Sequence, residues 1–391
     1  MNILFLTHSC VDPTKGGVQK ITYALLSPLR EYGASVYILS FDRNGNYFDS
    51  NQYFFPNKDY LLSGENIVYL QNLIVEKSID IVINQQGISI SFMNLLKNIH
   101  NIKIISVMHN SLLTHVRNAY YIREFFFEKK HLKWLIQPLR LNVFSRFLCK
   151  IYNIRHKKDY SSIVEHSDKI VILSSKLESE LNFFMDRNKY QSKVIVIPNF
   201  VDSIENFNID TLLKNKKKKI LYVGRIDFSM KRVDLLLKIW RELQYDFLDW
   251  ELDIVGGNEN DTNFLSNLLI KMKLQRVNIY GFVNPEKYYR EASVYCMTSC
   301  AESFGMVLIE AMSFGVVPIA FNSYPTITDI IDNNVNGILI DKINITTYAK
   351  SLSVLMENEV RRNDMARNAY KKSFVFSKEK VIPQWKAILN I

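Results

Sequence analysis

The sequence CMTSCAESFGMVLIEAMSFGVVPIA, from Cys296 to Ala320, decides the fold. The run that enters it, Ala292 to Met297, is apolar and short, and reads as a buried strand. A polar turn from Thr298 to Ser303 follows and supplies helix-capping residue types. A short helix is expected from Phe304 to Met312, with Met306, Val307, Leu308, Ile309 and Met312 on its inner side. Gly315 suits the left-handed position that closes a helix, and Val316 to Phe321 reads as the next strand. The start of such a helix carries unpaired N–H groups and a positive dipole end. With Gly305 leaving room for close approach, it is a natural seat for an anion such as a phosphate.

Two carboxylates frame that seat, Glu302 and Glu310. Were both helical, they would stand about 12 Å apart at 1.5 Å per residue. That exceeds the roughly 5–9.5 Å that separates the paired acids of glycoside hydrolases. Contacts to two parts of one long ligand fit the spacing better; a capping glutamate and a solvated helix glutamate would fit it too. The segment Glu302-Ser303-Phe304-Gly305-Met306-Val307-Leu308-Ile309-Glu310 resembles the E-x7-E motif of retaining GT-B glycosyltransferases of family 4. The resemblance implies that Glu310 holds the ribose hydroxyls of a nucleotide-sugar and that Glu302 faces the donor sugar. The backbone from Ser303 through Val307 would then approach the diphosphate.

Other landmarks of that family follow in order. Ile220 to Val223 reads as a strand, and Gly224-Arg225 opens GRIDFSMKRVDLLLKIW, which resembles the family's GR-x4-K segment. The resemblance places Arg225 and Lys231 on the diphosphate, where a positive pair stabilises the charge that grows on a departing nucleotide. Gly16-Gly17-Val18, after the apolar strand Asn2 to Leu6, resembles the loop that closes over donor phosphates; a tight turn is the other reading of the two glycines. His109 ends the strand Ile102 to Met108, at the position of the family histidine beside the donor sugar. Gly256 ends another strand, and Gly281-Phe282-Val283 resembles the segment beside the base. The stretch Pro198 to Asp202, PNFVD, resembles the family's PNGVD, with Phe200 in place of glycine. Asn336-Gly337-Ile338-Leu339 resembles a further turn and strand of the family.

The alternation of strand and helix signals predicts an α/β chain with parallel sheets and ligands at the carboxyl ends of the strands. The resemblance implies the GT-B arrangement of two facing Rossmann-like domains. The expected division is an acceptor-binding domain at 1–201, a polar linker at 202–219 and a nucleotide-sugar domain at 220–375. A C-terminal helix at 376–391 is expected to return to the first domain.

At 391 residues, with 48% hydrophobic and 23% charged residues, the chain has the composition of a globular protein. No apolar run reaches the roughly 18 residues of a membrane span, and Asn2 to His8 reads as a strand rather than a signal peptide. The four cysteines form no CxxC pair and read as reduced cytoplasmic thiols. The net charge of +10 is uneven: between Arg117 and Asp159 stand eleven Lys/Arg against three acids, and Lys216 to Lys219 form a second basic cluster. In the stretch 112–160 these cations interleave with Tyr120, Phe125, Phe126, Trp134, Phe144 and Tyr152. That combination suits an anionic bilayer surface, and a helical excursion covering the sheet is the plainer reading. No nucleic-acid motif accompanies it.

Together these readings give a glycosyltransferase that needs no cofactor and, lacking any D-x-D, no metal. Its expected donor is a UDP-hexose and its acceptor a saccharide on a lipid or lipopolysaccharide, met at the inner face of the cytoplasmic membrane. A nicotinamide oxidoreductase is opposed by the missing GxGxxG. A catalytically silent nucleotide-sugar or membrane-binding module is opposed by the joint presence of Arg225, Lys231, Glu302 and Glu310.

Overall fold

The computed structural model describes residues 1–45, 49–97, 99, 101–113, 140–201, 204, 206–341 and 343–391. They form two compact units. One takes the described residues before 203 together with Lys378–Ile391; the other takes the described residues from 204 to 377.

Seven strands make the sheet of the first unit: β1 (Asn2–Ser9), β2 (Ser35–Asp42), β3 (Gln52–Phe54), β4 (Ile81–Asn84), β5 (Lys103–Met108), β6 (Lys169–Ile172) and β7 (Val194–Val196). Their order is β3-β2-β1-β4-β5-β6-β7, and every neighbouring pair is parallel. Ile3, Leu4, Phe5 and Leu6 are all fully buried, which is why β1 reads as an unbroken apolar run: both of its faces are covered. Leu25 and Leu29 of the helix Gly17–Glu31 cover one face, with Val381, Trp385 and Leu389 of the last helix, Lys378–Leu389. The Lys103 ammonium donates to the Ile388 carbonyl at 2.5 Å and ties that helix down. Phe200, where the family pattern has glycine, is buried in this core and has no left-handed backbone.

The second unit contains β8 (Lys219–Val223), β9 (Glu251–Val255), β10 (Val277–Ile279), β11 (Val294–Met297), β12 (Val317–Phe321) and β13 (Ile338–Ile340), in the order β10-β9-β8-β11-β12-β13, again all parallel. Its core joins Ile220, Ile254, Val294 and Ile319 to Leu236 and Trp240 of the helix Val233–Leu243, and to Tyr348 and Leu352 of the helix Ile345–Glu357.

Two expectations need correction. The helix expected to begin at Phe304 runs from Met306 to Ser313, because Gly305 takes φ = 97° and breaks the right-handed run; no side chain caps it. Glu302 therefore lies in the preceding loop, and the helical spacing of the two glutamates does not apply. The stretch 202–219 is no bare linker. It holds a helix, Ile209–Lys214, capped by the Asn208 side chain, with Leu212 and Leu213 buried. At six residues the helix is too short to leave a periodic signal. In the basic cluster after it, Lys217 pairs with Glu291 at 3.0 Å, Lys218 with Asp249 at 2.5 Å and Lys219 with Asp253 at 2.8 Å.

The basic aromatic stretch 112–160 falls largely outside the described residues, Lys129, Lys130 and Lys133 included. From residue 140 it enters the helix Arg140–Glu165.

Candidate functional site

In the second sheet, β8 lies beside β11 although they are not consecutive in the chain. At such a switch in strand order the loops leaving the two carboxyl ends part and open a crevice. Here those loops are residues 224–232 after β8 and 298–305 after β11, and hydrogen bonds stitch them together. The Cys300 amide donates to the Met230 carbonyl at 2.8 Å, and the Thr298 hydroxyl reaches the carbonyls of Lys231 and Arg232 at 3.1 and 3.0 Å.

The first loop is shaped from within. One oxygen of Asp227 accepts from the Ser229 amide and hydroxyl and from the Met230 amide. Burial alone would raise the Asp227 pKa, but these hydrogen bonds and the Arg225 charge outweigh it and hold the carboxyl below the usual range. Arg232 takes a left-handed backbone, is buried and pairs with Asp234, so the chain turns sharply into the helix Val233–Leu243. Lys231 just before it projects its ammonium 2.5 Å from Glu302, which also accepts from the Ser299 hydroxyl at 2.7 Å. Arg225 is exposed; its carbonyl accepts from the Tyr222 hydroxyl at 2.6 Å.

Beneath Glu302 lies a layer of buried phenols. Desolvation raises the pKa values of Tyr222, Tyr295 and Tyr324 well above the ordinary phenol range, and the negative charge of Glu302 adds to each. Tyr295 also feels the negative charge of Glu310. Tyr324 explains Gly305: a Cβ there would stand 2.4 Å from the phenol oxygen, in a backbone conformation that already favours glycine. The uncapped start of the helix Met306–Ser313 opens at that point, with Met306 and Val307 half-buried and Ser303 and Phe304 leading in. Glu310, within the helix, accepts from the fully buried Tyr289 hydroxyl at 3.1 Å. Tyr289 is stacked on Phe314 with centroids 5.8 Å apart.

Beside this crevice the ends of β8, β9 and β10 meet through glycines. Gly224 donates to the Val255 carbonyl at 3.0 Å, and Gly256 donates to the Gly281 carbonyl at 2.6 Å. A Cβ on Gly256 would lie 2.0 Å from the Gly224 carbonyl oxygen. Phe282 and Val283 leave this junction exposed, Phe282 at 75%.

The remaining expected site residues belong to the first unit. Gly16 and Gly17 are exposed at the start of the helix Gly17–Glu31, neither with a left-handed backbone, and a Cβ on Gly17 would meet nothing. The fold thus gives no internal reason for glycine at 17. His109 directly follows β5 and is buried, with Nε2 2.5 Å from the Gln85 amide oxygen; burial pushes its pKa down to about 4. Sequence reading missed Gln85, Tyr222, Tyr289, Tyr295 and Tyr324. Each is marked only by its buried partner, which no local pattern announces.

Residues 15–204 match the Glycosyltransferase Family 4 domain and residues 203–372 the Glycosyl transferases group 1 domain. An uncharacterized glycosyltransferase of Haemophilus influenzae is 35% identical over 228 residues, covering 57% of this chain. The chain spans about 61% of that relative's length. Among solved structures, the lipopolysaccharide outer core galactosyltransferase WaaB in its apo form superposes with a TM-score of 0.68 at 20% identity, over 100% of this chain and 99% of WaaB. Anabaena HepE in complex with UDP and glucose gives 0.69 at 16% identity, over 99% of both chains. At these identities the likeness is one of fold.

Proposed function

Because the chain belongs to the glycosyltransferases of family 4 and group 1, with the GT-B fold, we propose that it moves a hexosyl unit from a nucleotide-sugar, UDP-hexose, to a saccharide hydroxyl, with retention of anomeric configuration. The acceptor is a lipid-linked or lipopolysaccharide saccharide in bacterial surface polysaccharide synthesis. One observation carries this reading: the stitched loops at the β8–β11 switch gather Arg225, Lys231, Glu302 and an uncapped helix start in one crevice. A helix start and two cations suit a diphosphate.

In this reading the diphosphate lies against Arg225, Lys231 and the amides from Ser303 to Val307. Glu310, held by Tyr289, accepts from the ribose hydroxyls, and the exposed Phe282 and Val283 flank the base. The glycines at 16, 17, 224 and 256 leave room for the ligand, and Glu302 and His109 take the sugar. The acceptor oxygen bonds to the anomeric carbon as the bond from that carbon to the phosphate oxygen breaks. The acceptor proton passes to the departing diphosphate, whose negative charge Arg225 and Lys231 stabilise without a metal. UDP bound to HepE and the lipopolysaccharide substrate of WaaB support the donor and acceptor classes by analogy of fold.

Contact with the inner face of the membrane is part of the proposal. On the helix Arg140–Glu165, Ile151 and Ile154 are 46% and 71% exposed beside the exposed cations Lys150, Arg155, Lys157 and Lys158. Apolar and cationic side chains together suit an anionic interface. Among the described residues, no helix is long and apolar enough to cross a membrane.

Calorimetry with UDP, GDP and ADP, followed by their hexoses, tests the function. Tight UDP binding with turnover of a UDP-hexose is expected. Absence of binding to all three nucleotides would overturn the donor assignment, and UDP binding without turnover of any donor would point to a silent binding module.

A further inference from the structure

Gln85 and His109 follow paired strands of the first sheet, Gln85 directly after β4 and His109 directly after β5. Both are buried, at 2% and 5% exposure. The Gln85 amide N–H donates to the Leu6 carbonyl at 3.0 Å, which anchors its backbone to β1. From there its side-chain oxygen lies 2.5 Å from His109 Nε2. An amide oxygen only accepts, so the imidazole must donate at Nε2, and its other nitrogen carries no hydrogen as long as the ring is neutral. Among the described residues that other nitrogen, Nδ1, is buried without a hydrogen-bond partner, and so is Gln85 Nε2. The pair thus presents one bare acceptor and one unused donor in a setting where leaving either unmet is costly.

We infer that Gln85 is a positioning residue that fixes His109 as the neutral Nε2–H imidazole, so that a sugar hydroxyl donates to Nδ1 and Gln85 Nε2 donates to a substrate oxygen. A hydroxyl is both donor and acceptor, which suits this pair of opposite needs; a phosphate could not donate to Nδ1. Burial disfavours the imidazolium, the form that would have no bare nitrogen to offer. The inference rests on the proposed placement of His109 at the donor sugar.

The full chain labelled with ¹⁵N-histidine tests the tautomer by long-range ¹H–¹⁵N correlation at pH 7. The expected spectrum shows His109 protonated at Nε2 alone; an Nδ1–H ring or an imidazolium would overturn the inference. Gln85→Leu should mix the tautomers. It should also lower UDP release from UDP-glucose or UDP-galactose on the order of 10- to 100-fold, the usual scale when a histidine loses the group that orients it. UDP affinity, which depends on the other unit, should stay unchanged, and a parental circular-dichroism spectrum and melting transition serve as the check on folding. Unchanged turnover in a folded Gln85→Leu variant would overturn the positioning role. If Gln85→Leu does not fold, the parent spectrum alone decides the tautomer. Full turnover by His109→Ala would remove the histidine from the donor site, and with it the substrate half of the inference, whatever its tautomer.

Discussion

The Lys231 ammonium lies 2.5 Å from the Glu302 carboxylate, with the two side chains only 18% and 12% exposed. A cation expected to meet a diphosphate is thus held, before any donor arrives, by the carboxylate expected to face the sugar. The pair keeps both charges satisfied in a half-dry crevice, where either alone would be costly.

Lys231→Ala and Arg225→Ala should each cut turnover of the nucleotide-sugar on the order of 10²- to 10³-fold, the usual loss for one transition-state charge contact. Their stabilities should differ. Arg225 is exposed and its loss should leave the melting temperature unchanged. Lys231→Ala strands Glu302 and should cost about 1–3 kcal/mol. Paired kinetics and thermal melts check both halves, and near-parental turnover in the two folded variants would remove these residues from the mechanism.

Glu310→Ala should weaken binding of free UDP, whereas Glu302→Ala should spare UDP and impair use of the sugar donor. Tyr289→Phe removes the hydroxyl that holds Glu310 at 3.1 Å, and should weaken UDP binding by a smaller factor of about 2 to 10. Calorimetry with UDP separates the three. Equal losses in the two glutamate variants would refute the division of labour.

Gly305→Ala should destabilise the second unit by at least about 1–2 kcal/mol, since φ is 97° and a Cβ would meet the Tyr324 hydroxyl. Tyr324→Phe should recover part of that loss by removing the oxygen and leave the backbone strain. Gly17→Ala, with open space around its Cβ, should keep stability within about 0.5 kcal/mol while lowering turnover. Denaturation midpoints and rates measured together test the contrast.

His109 gives the fold a pH signature. Its folded pKa of about 4 lies below the ordinary value of 6.5, so the unfolded chain binds more protons between those limits and stability rises with pH there. From pH 7 to pH 5 this residue should remove about 2 kcal/mol, a loss complete only below pH 4. Urea midpoints of the parent and of His109→Gln should therefore diverge as the pH falls. Parallel curves would show that the imidazole is not buried as described.

Binding to anionic vesicles should be peripheral and weaken with salt over the range in which the Debye length shortens below about 10 Å. Replacing Ile151 and Ile154 together with aspartate should reduce vesicle co-sedimentation and leave UDP affinity unchanged. Retained binding in that variant would move the membrane contact to another face.

The sequence alone determined the features that repeat locally. Apolar runs such as Ile3 to Leu6 and Val294 to Met297 announce strands buried on both faces, and their alternation with helices announces two parallel sheets. Gly315 marks the end of a helix because the left-handed backbone is a property of single residues. The E-x7-E spacing and the Gly224-Arg225 segment likewise survive as linear patterns. The tertiary structure alone decided who meets whom. Lys231 and Glu302 stand 71 residues apart and meet because β8 is hydrogen-bonded to β11, a strand order that no periodicity encodes. Tyr289 finds Glu310, Gln85 finds His109, and the lysines after the helix Ile209–Lys214 find Glu291, Asp249 and Asp253 in the same way. The helix start moved from Phe304 to Met306 because a single backbone angle at Gly305 outweighed apolar periodicity. Patterning follows from which side chains leave water, and a sequence states that. The charge and protonation of a buried group follow from its neighbours, and only the folded chain supplies those.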